Sequence, residues 1–96
     1  MINSKTIEVK KSKFISLMYP ISSVEEAEKK LKEIKKIYYD ARHHCYAYRI
    51  NNNENIIEKA SDDGEPSGTA GAPMLNLLVK NDLVNVLVVV VLALGT

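Results

Sequence analysis

The residue types best suited to chemistry lie in one polar segment, Ser61–Pro73, which reads Ser-Asp-Asp-Gly-Glu-Pro-Ser-Gly-Thr-Ala-Gly-Ala-Pro. It holds three of the four glycines, two of the three prolines and no large apolar side chain. Such a segment cannot bury itself, so we expect a surface loop. Its glycines would let the backbone approach a ligand closely, and Pro73 suits the first turn of a helix. The loop could therefore bind an anion at a helix N-terminus; a connector that only caps the helix is the simpler alternative.

The three carboxylates of this segment, Asp62, Asp63 and Glu65, would repel a bare phosphate. They could instead hold Mg²⁺ for a phosphate on the loop, meet a basic protein surface, or complement a helix dipole with no ligand at all. The segment is not a P-loop, because no Lys-Ser/Thr pair follows the glycines. Nor is it a dinucleotide fingerprint, because its glycines lie four and three residues apart.

A second group of reactive side chains precedes the loop, at His43, His44 and Cys45. A Cys–His dyad needs a third group that orients the base, and none is identifiable in the sequence. We therefore predict a structural Cys45 and no catalytic residue. For His43 both a half-buried structural role and a ligand contact stay open. No fourth metal ligand stands at a recognised spacing, so neither a metal nor another cofactor is predicted.

The surrounding sequence predicts strands and helices that would position these residues. The clearest is a helix over Ser22–Tyr38, because Ser-x-x-Glu capping patterns precede apolar residues at helical spacing. The residues of the strand His44–Ile50 alternate between two faces. The other predicted elements are an extended segment, two strands and a helix: Thr6–Ile21, Ile56–Ala60, Leu83–Leu94 and the helix from Pro73. This order indicates an α/β (α+β) two-layer sandwich with a mixed sheet and two helices.

Length and charge limit the function classes. Ninety-six residues allow one domain, and the net charge of +1 does not indicate nucleic-acid binding. Residues 1–36 nevertheless carry nine lysines against five glutamates. The outer helix face with Lys29, Lys32 and Lys36 is therefore either a solvated face or an RNA-binding surface. The single cysteine fits a reducing cytoplasm. The twelve-residue run Leu83–Leu94 is too short for a membrane helix, which needs about 20 residues.

Three segments in a fixed order carry a resemblance to a known family: Lys11–Ile15, Asp40–Arg49 and Ser61–Gly71. They resemble the opening strand and the two motifs of the IMPACT/YigZ family, UPF0029, from about Lys10 to Val91. The resemblance implies a ribosomal-protein-S5-domain-2-like fold, followed in bacterial members by a ferredoxin-like domain. The candidate residues for contact with a ligand or partner are His43 and most of the signature loop: Asp62, Asp63, Gly64, Glu65, Pro66, Ser67, Gly68, Thr69 and Gly71.

The C-terminal residues depart from the family pattern. Family members continue the last strand into Arg-Tyr-Phe-Gly-Gly and a second glycine-rich stretch, whereas this sequence reads Val88–Thr96 and stops. We therefore expect residues 1–96 to form a single, incomplete domain of the IMPACT N-terminal type, without the ferredoxin-like domain. With its cover missing, the last strand would expose apolar surface and favour self-association.

Three functions are compatible with these observations. The resemblance implies a non-catalytic binding module in translation control, because eukaryotic relatives compete for a ribosome-associated activator of an initiation-factor kinase. An enzyme or binder of a phosphorylated or nucleotide-like ligand at the loop is the first alternative, and a non-functional fragment is the second. If the loop is a recognition surface, replacing Asp62 and Asp63 by alanine should leave the fold intact but weaken partner binding.

Overall fold

A computed structural model of the chain describes residues 3–9, 12–53, 55–63 and 70–94. Five strands and two helices are described, and they confirm the predicted order of elements. The bounds are β1 (Asn3–Val9), β2 (Ser12–Pro20), α1 (Val24–Ile37), β3 (His43–Asn52), β4 (Asn55–Ser61), α2 (Gly71–Lys80) and β5 (Val86–Leu94). Within the described ranges, neither helix is long and apolar enough to span a bilayer.

The strands form one sheet in the order β1-β2-β5-β3-β4, with β5 at its centre. Val89 of β5 lies opposite Leu17 of β2 and opposite Tyr46 of β3. Both backbone edges of β5 are therefore hydrogen-bonded within the sheet. A further strand therefore cannot add to an edge of β5, and self-association through this strand stays a prediction that depends on its side chains.

The expected class, a sheet combined with two helices, is confirmed, but the sheet is antiparallel at every described pairing rather than mixed. The reason lies in the connection through α1. This helix joins β2 to β3, which run parallel to each other, but β5 inserts between them and pairs antiparallel with both. The parallel contact that a β-α-β connection would normally create is thereby displaced.

The two helices pack on opposite faces of the sheet, so the arrangement has three layers instead of the expected two. Leu87, Val89 and Val91 of β5 pack with the buried face of α1, whereas Val86 and Val88 pack with α2. The nearly uninterrupted apolar sequence of β5 explains this arrangement. Its side chains alternate between the two faces, so each face requires a helix to cover it.

The start of α1 follows the predicted capping pattern. Ser23 is the N-cap, and its hydroxyl accepts a hydrogen bond from the backbone N–H of Glu26 at 3.1 Å. Ala27, Leu31 and Ile34 form the buried stripe of the helix. The start of α2 differs from expectation, because the helix begins at Gly71, two residues before Pro73.

Candidate functional site

The predicted site lies where β4 ends and α2 begins, beside the first residues of β3. Asp62 and Asp63 follow β4 directly, and Ala70 and Gly71 stand at the start of α2. Six of the predicted contact residues fall outside the part of the chain that the structure describes: Gly64, Glu65, Pro66, Ser67, Gly68 and Thr69. The residues on either side of these six therefore define the geometry of the site.

Asp62 ties the two sides of the loop together. Its Oδ1 accepts hydrogen bonds from the backbone N–H groups of Ala70 at 3.0 Å and Gly71 at 2.6 Å. These N–H groups belong to the first turn of α2, where no intrahelical acceptor is available. Ala70, the N-cap, makes no side-chain capping bond. The carboxylate of Asp62 thus supplies the cap from eight residues away and also complements the helix dipole.

Gly71 is required by a close backbone contact. A Cβ atom at this position would lie 2.7 Å from the backbone nitrogen of Ser61 and 2.8 Å from its carbonyl carbon and oxygen. Real Cβ atoms do not approach backbone atoms so closely. The glycine therefore lets the first turn of α2 pack directly on the last residue of β4.

Asp63 is bonded through its backbone and its side chain. It adopts a left-handed conformation, with φ of 48°, which aspartate tolerates better than most residues. Its N–H donates to the hydroxyl of Ser61 at 3.2 Å, and its carbonyl oxygen lies 2.8 Å from Nδ1 of His43. Its Oδ2 accepts the backbone N–H of His44 at 2.7 Å. Both aspartates are therefore engaged within the chain, which argues against the expectation that their replacement leaves the fold intact.

His44 belongs to the site, although it was not predicted from the sequence as a site residue. It is buried, with 8% of its surface exposed. Its Nε2 lies 2.8 Å from the carbonyl oxygen of Tyr38, the C-cap of α1, and its Nδ1 lies 3.4 Å from Oδ2 of Asp63. A carbonyl oxygen can only accept, so Nε2 carries a proton. The adjacent pair His43-His44 was a signal for this role in the sequence. Neighbouring strand residues point to opposite faces, so the two rings could not share one environment.

Cys45 and His43 both bond the backbone at the loop entrance. The thiol of Cys45 donates to the carbonyl oxygen of Asp62 at 3.4 Å, and only 3% of the residue is exposed. The ring of His43 bonds the carbonyl oxygen of Asp63. This geometry agrees with the structural role predicted for Cys45 and gives His43 a structural contact of its own.

An aromatic pair with a lysine stands next to the end of β4. The rings of Tyr46 and Tyr48 stack with centroids 6.2 Å apart. Burial raises the pKa of Tyr48, and nearby Lys59 opposes this shift. The hydrogen bond between Lys59 and Tyr46 raises the pKa of the lysine ammonium. Lys59 is exposed and lies on β4, the strand that leads to the loop.

The lysines of the α1 outer face lie away from this site. Lys29, Lys32 and Lys36 are exposed, and among the described residues no carboxylate lies within 4 Å of their ammonium groups. On the same helix, the carboxylate of Glu26 accepts a hydrogen bond from Ser22.

Comparison with known proteins agrees with this architecture. The model of the Impact N-terminal domain matches residues 10–95. The chain belongs to this family. It is 48% identical over 77 residues to the IMPACT family member YvyE of Bacillus subtilis (strain 168). The aligned region covers 80% of this chain and 35% of YvyE. It is 39% identical over 85 residues to the IMPACT family member YigZ of Escherichia coli (strain K12). Here the aligned region covers 88% of this chain and 42% of YigZ. The chain thus spans less than half the length of these relatives.

Solved structures share the fold. One crystal structure of a hypothetical protein matches with a TM-score of 0.88 and 36% identity, and it covers 96% of this chain and 45% of that one. The two-domain translational regulator Yih1 matches with a TM-score of 0.68 and 26% identity, and it covers 97% of this chain and 36% of Yih1. The family members therefore carry further sequence beyond the region that this chain matches.

Proposed function

We propose that this Impact N-terminal domain is a non-catalytic binding module that acts in the regulation of translation, in the cytoplasm, through a protein or ribosome-associated partner. The observation that carries the proposal is the likeness to Yih1, described as a translational regulator, over 97% of this chain. The contact surface is the loop Ser61–Pro73, whose ends are fixed by Asp62 and Asp63.

A rigid connection between the two ends of the loop supports a binding role. Asp62 connects the end of β4 to the first turn of α2, and the close contact at Gly71 leaves no room for a side chain between these elements. A loop whose ends are held in this way loses less conformational entropy when a partner binds it. The acidic residue Glu65 would meet a basic surface of that partner.

Sedimentation of the full chain with ribosomes through a sucrose cushion tests the proposal. We expect the chain to pellet with ribosomes in a cytosolic extract, and Glu65→Lys to reduce the pelleted fraction. Glu33→Lys is the matched control, because it makes the same charge change at an exposed position of α1, away from the loop. Absence of pelleting, or an equal loss in both variants, would contradict a partner contact at the loop.

RNA is a narrower proposal for the partner, favoured by the exposed lysines of α1. If Lys29, Lys32 and Lys36 each neutralise one phosphate, their joint replacement by glutamine should lower the slope of log affinity against log salt by about 2 for single-stranded RNA. Filter binding at several salt concentrations measures this slope. Lys80→Gln, at the end of α2, is the control. An unchanged slope in the triple variant would exclude these lysines.

Self-association is a further proposal, now through side chains instead of a strand edge. On the face shared with α2, Phe14 is 40% exposed and Leu77 is 60% exposed. Leu77 lines a groove of about 200 Å³ together with Met18, Met74 and Val88 among others. Light scattering should show concentration-dependent association that Leu77→Glu reduces, whereas Ile37→Glu, an exposed residue of α1, should not. A monodisperse monomer would contradict this proposal.

A further inference from the structure

We propose that the tandem histidines His43 and His44 are positioning residues that hold Asp63, and with it the entrance of the loop, in its left-handed conformation. The proposal deepens the proposed function and rests on it only in treating the loop as the contact surface. It gives His43 a structural role instead of the ligand contact that the sequence analysis left open, and it gives a role to His44, which was not among the candidate contact residues.

Asp63 is contacted by the ring of His43 and by the backbone of His44. Consecutive residues of a strand point their side chains to opposite faces. The ring of His43 reaches the backbone carbonyl of Asp63, with Nδ1 at 2.8 Å. The backbone N–H of His44 donates to the carboxylate of Asp63 at 2.7 Å, while the ring of His44 donates through Nε2 to the carbonyl oxygen of Tyr38. We call these contacts the grip on Asp63. The ring of His43 supplies one contact directly, and the ring of His44 supports the other by holding its own backbone N–H in place through the bond to Tyr38.

The grip holds a conformation that the backbone would otherwise leave. Asp63 has φ of 48°, which is uncommon for a residue with a side chain. Such conformations persist only where the surroundings fix them. Here the N–H, the carbonyl oxygen and the carboxylate of Asp63 each have a partner. The direction in which the chain leaves β4 is therefore set by these bonds.

The grip is also connected to the rest of the fold. Nε2 of His44 donates to the carbonyl oxygen of Tyr38, which caps the C-terminus of α1. His44 thus ties the loop entrance to α1, while Asp62 ties the loop exit to α2. Because the two helices lie on opposite faces of the sheet, the loop is fixed to both outer layers.

The ring nitrogens used by the two histidines differ, and this difference gives a sharp test. The amide nitrogen of asparagine can replace Nδ1 of a histidine, and that of glutamine can replace Nε2. We therefore expect His43→Asn to preserve the grip and His43→Gln to release it. For His44 the order is reversed: glutamine keeps the bond to Tyr38, whereas asparagine does not. A general need for bulk or polarity at these positions would not produce opposite preferences.

Amide hydrogen exchange of the full chain, followed by NMR, measures the grip. In the releasing variants we expect exchange at Asp63 to accelerate on the order of ten-fold, while Val89 in the central strand stays unchanged. Ser23→Ala is the control, because it weakens α1 at its far end without touching the loop. Equal behaviour of asparagine and glutamine at both positions, or equal acceleration at Asp63 and Val89, would overturn the proposal. If a releasing variant does not fold but the preserving variant at the same position does, the proposal is supported. If neither variant at that position folds, the proposal is overturned.

The outcome is separable from that of the proposed function. Exchange rates are measured on the chain alone, without ribosomes. If asparagine is tolerated at position 43 and glutamine at position 44, the grip is supported even if the chain never sediments with ribosomes. Sedimentation that survives in the releasing variants would show that the partner does not use the loop held by Asp63. That result would contradict the proposal that the loop is the contact surface, but it would not contradict the grip on Asp63.

Discussion

Replacing Asp62 by alanine tests the central feature of the site, the cap that this residue provides to α2. The change removes the carboxylate, whose Oδ1 accepts two hydrogen bonds, from Ala70 at 3.0 Å and from Gly71 at 2.6 Å. Both N–H groups would then lack this acceptor at the start of the helix. We expect the helix to begin later and the contact between α2 and β4 to loosen.

The magnitude follows from the type of bond. Hydrogen bonds to charged groups contribute about 1.5–3 kcal/mol each, but water reaches part of this half-buried site and replaces some of the loss. Loss of an N-cap side chain costs about 0.5–2 kcal/mol, and loss of the favourable charge at the helix dipole costs about 0.3–1 kcal/mol. Together these effects predict that the free energy of unfolding falls by about 2 kcal/mol. Asp62→Asn keeps an acceptor oxygen but not the charge, so we expect a loss of about 1 kcal/mol.

Urea denaturation followed by circular dichroism at the helical band provides the measurement. Asp82→Asn is the control, because it removes the charge of a carboxylate whose side chain is 95% exposed and keeps a residue type that tolerates the left-handed φ of 51° at this position. We expect this control to change the free energy of unfolding by less than about 0.5 kcal/mol. If Asp62→Ala costs no more than the control, Asp62 does not stabilise α2 as its cap.

Two further predictions follow from packing and from titration. Gly71→Ala should lower the melting temperature, although alanine favours helices, because its Cβ would lie 2.7–2.8 Å from the backbone of Ser61; we expect a loss of about 1–3 kcal/mol, and a stabilised variant would refute the contact. Burial raises the pKa of Tyr48, so its contribution to stability is present below the pKa of an unfolded tyrosine and is lost as the pH rises through the folded value. Because Lys59 opposes that shift, Lys59→Met should move the ultraviolet titration of Tyr48 to still higher pH; a shift to lower pH would contradict this electrostatic assignment.

The local pattern of the sequence determined the elements and their faces. Alternating side chains placed Tyr48 and Ala47 on opposite sides of β3, and the structure packs them with different helices. The Ser-x-x-Glu pattern located the N-cap Ser23, and the glycine-rich composition located the loop. These features were predictable because they depend on residues within about four positions of one another, where backbone geometry fixes which groups meet.

The tertiary structure decided what depends on distant pairing. The insertion of β5 between β2 and β3 made the sheet antiparallel and required helices on both faces, and no local signal specifies that insertion. The bond from His44 to Asp63 spans 19 residues, and the cap from Asp62 spans eight and nine. The sequence indicated two aspartates and His43 as candidates for binding, and it did not indicate His44. In the fold, the end of β4 and the start of β3 lie beside the first turn of α2. The polar atoms of these residues therefore form hydrogen bonds with backbone groups of the same chain.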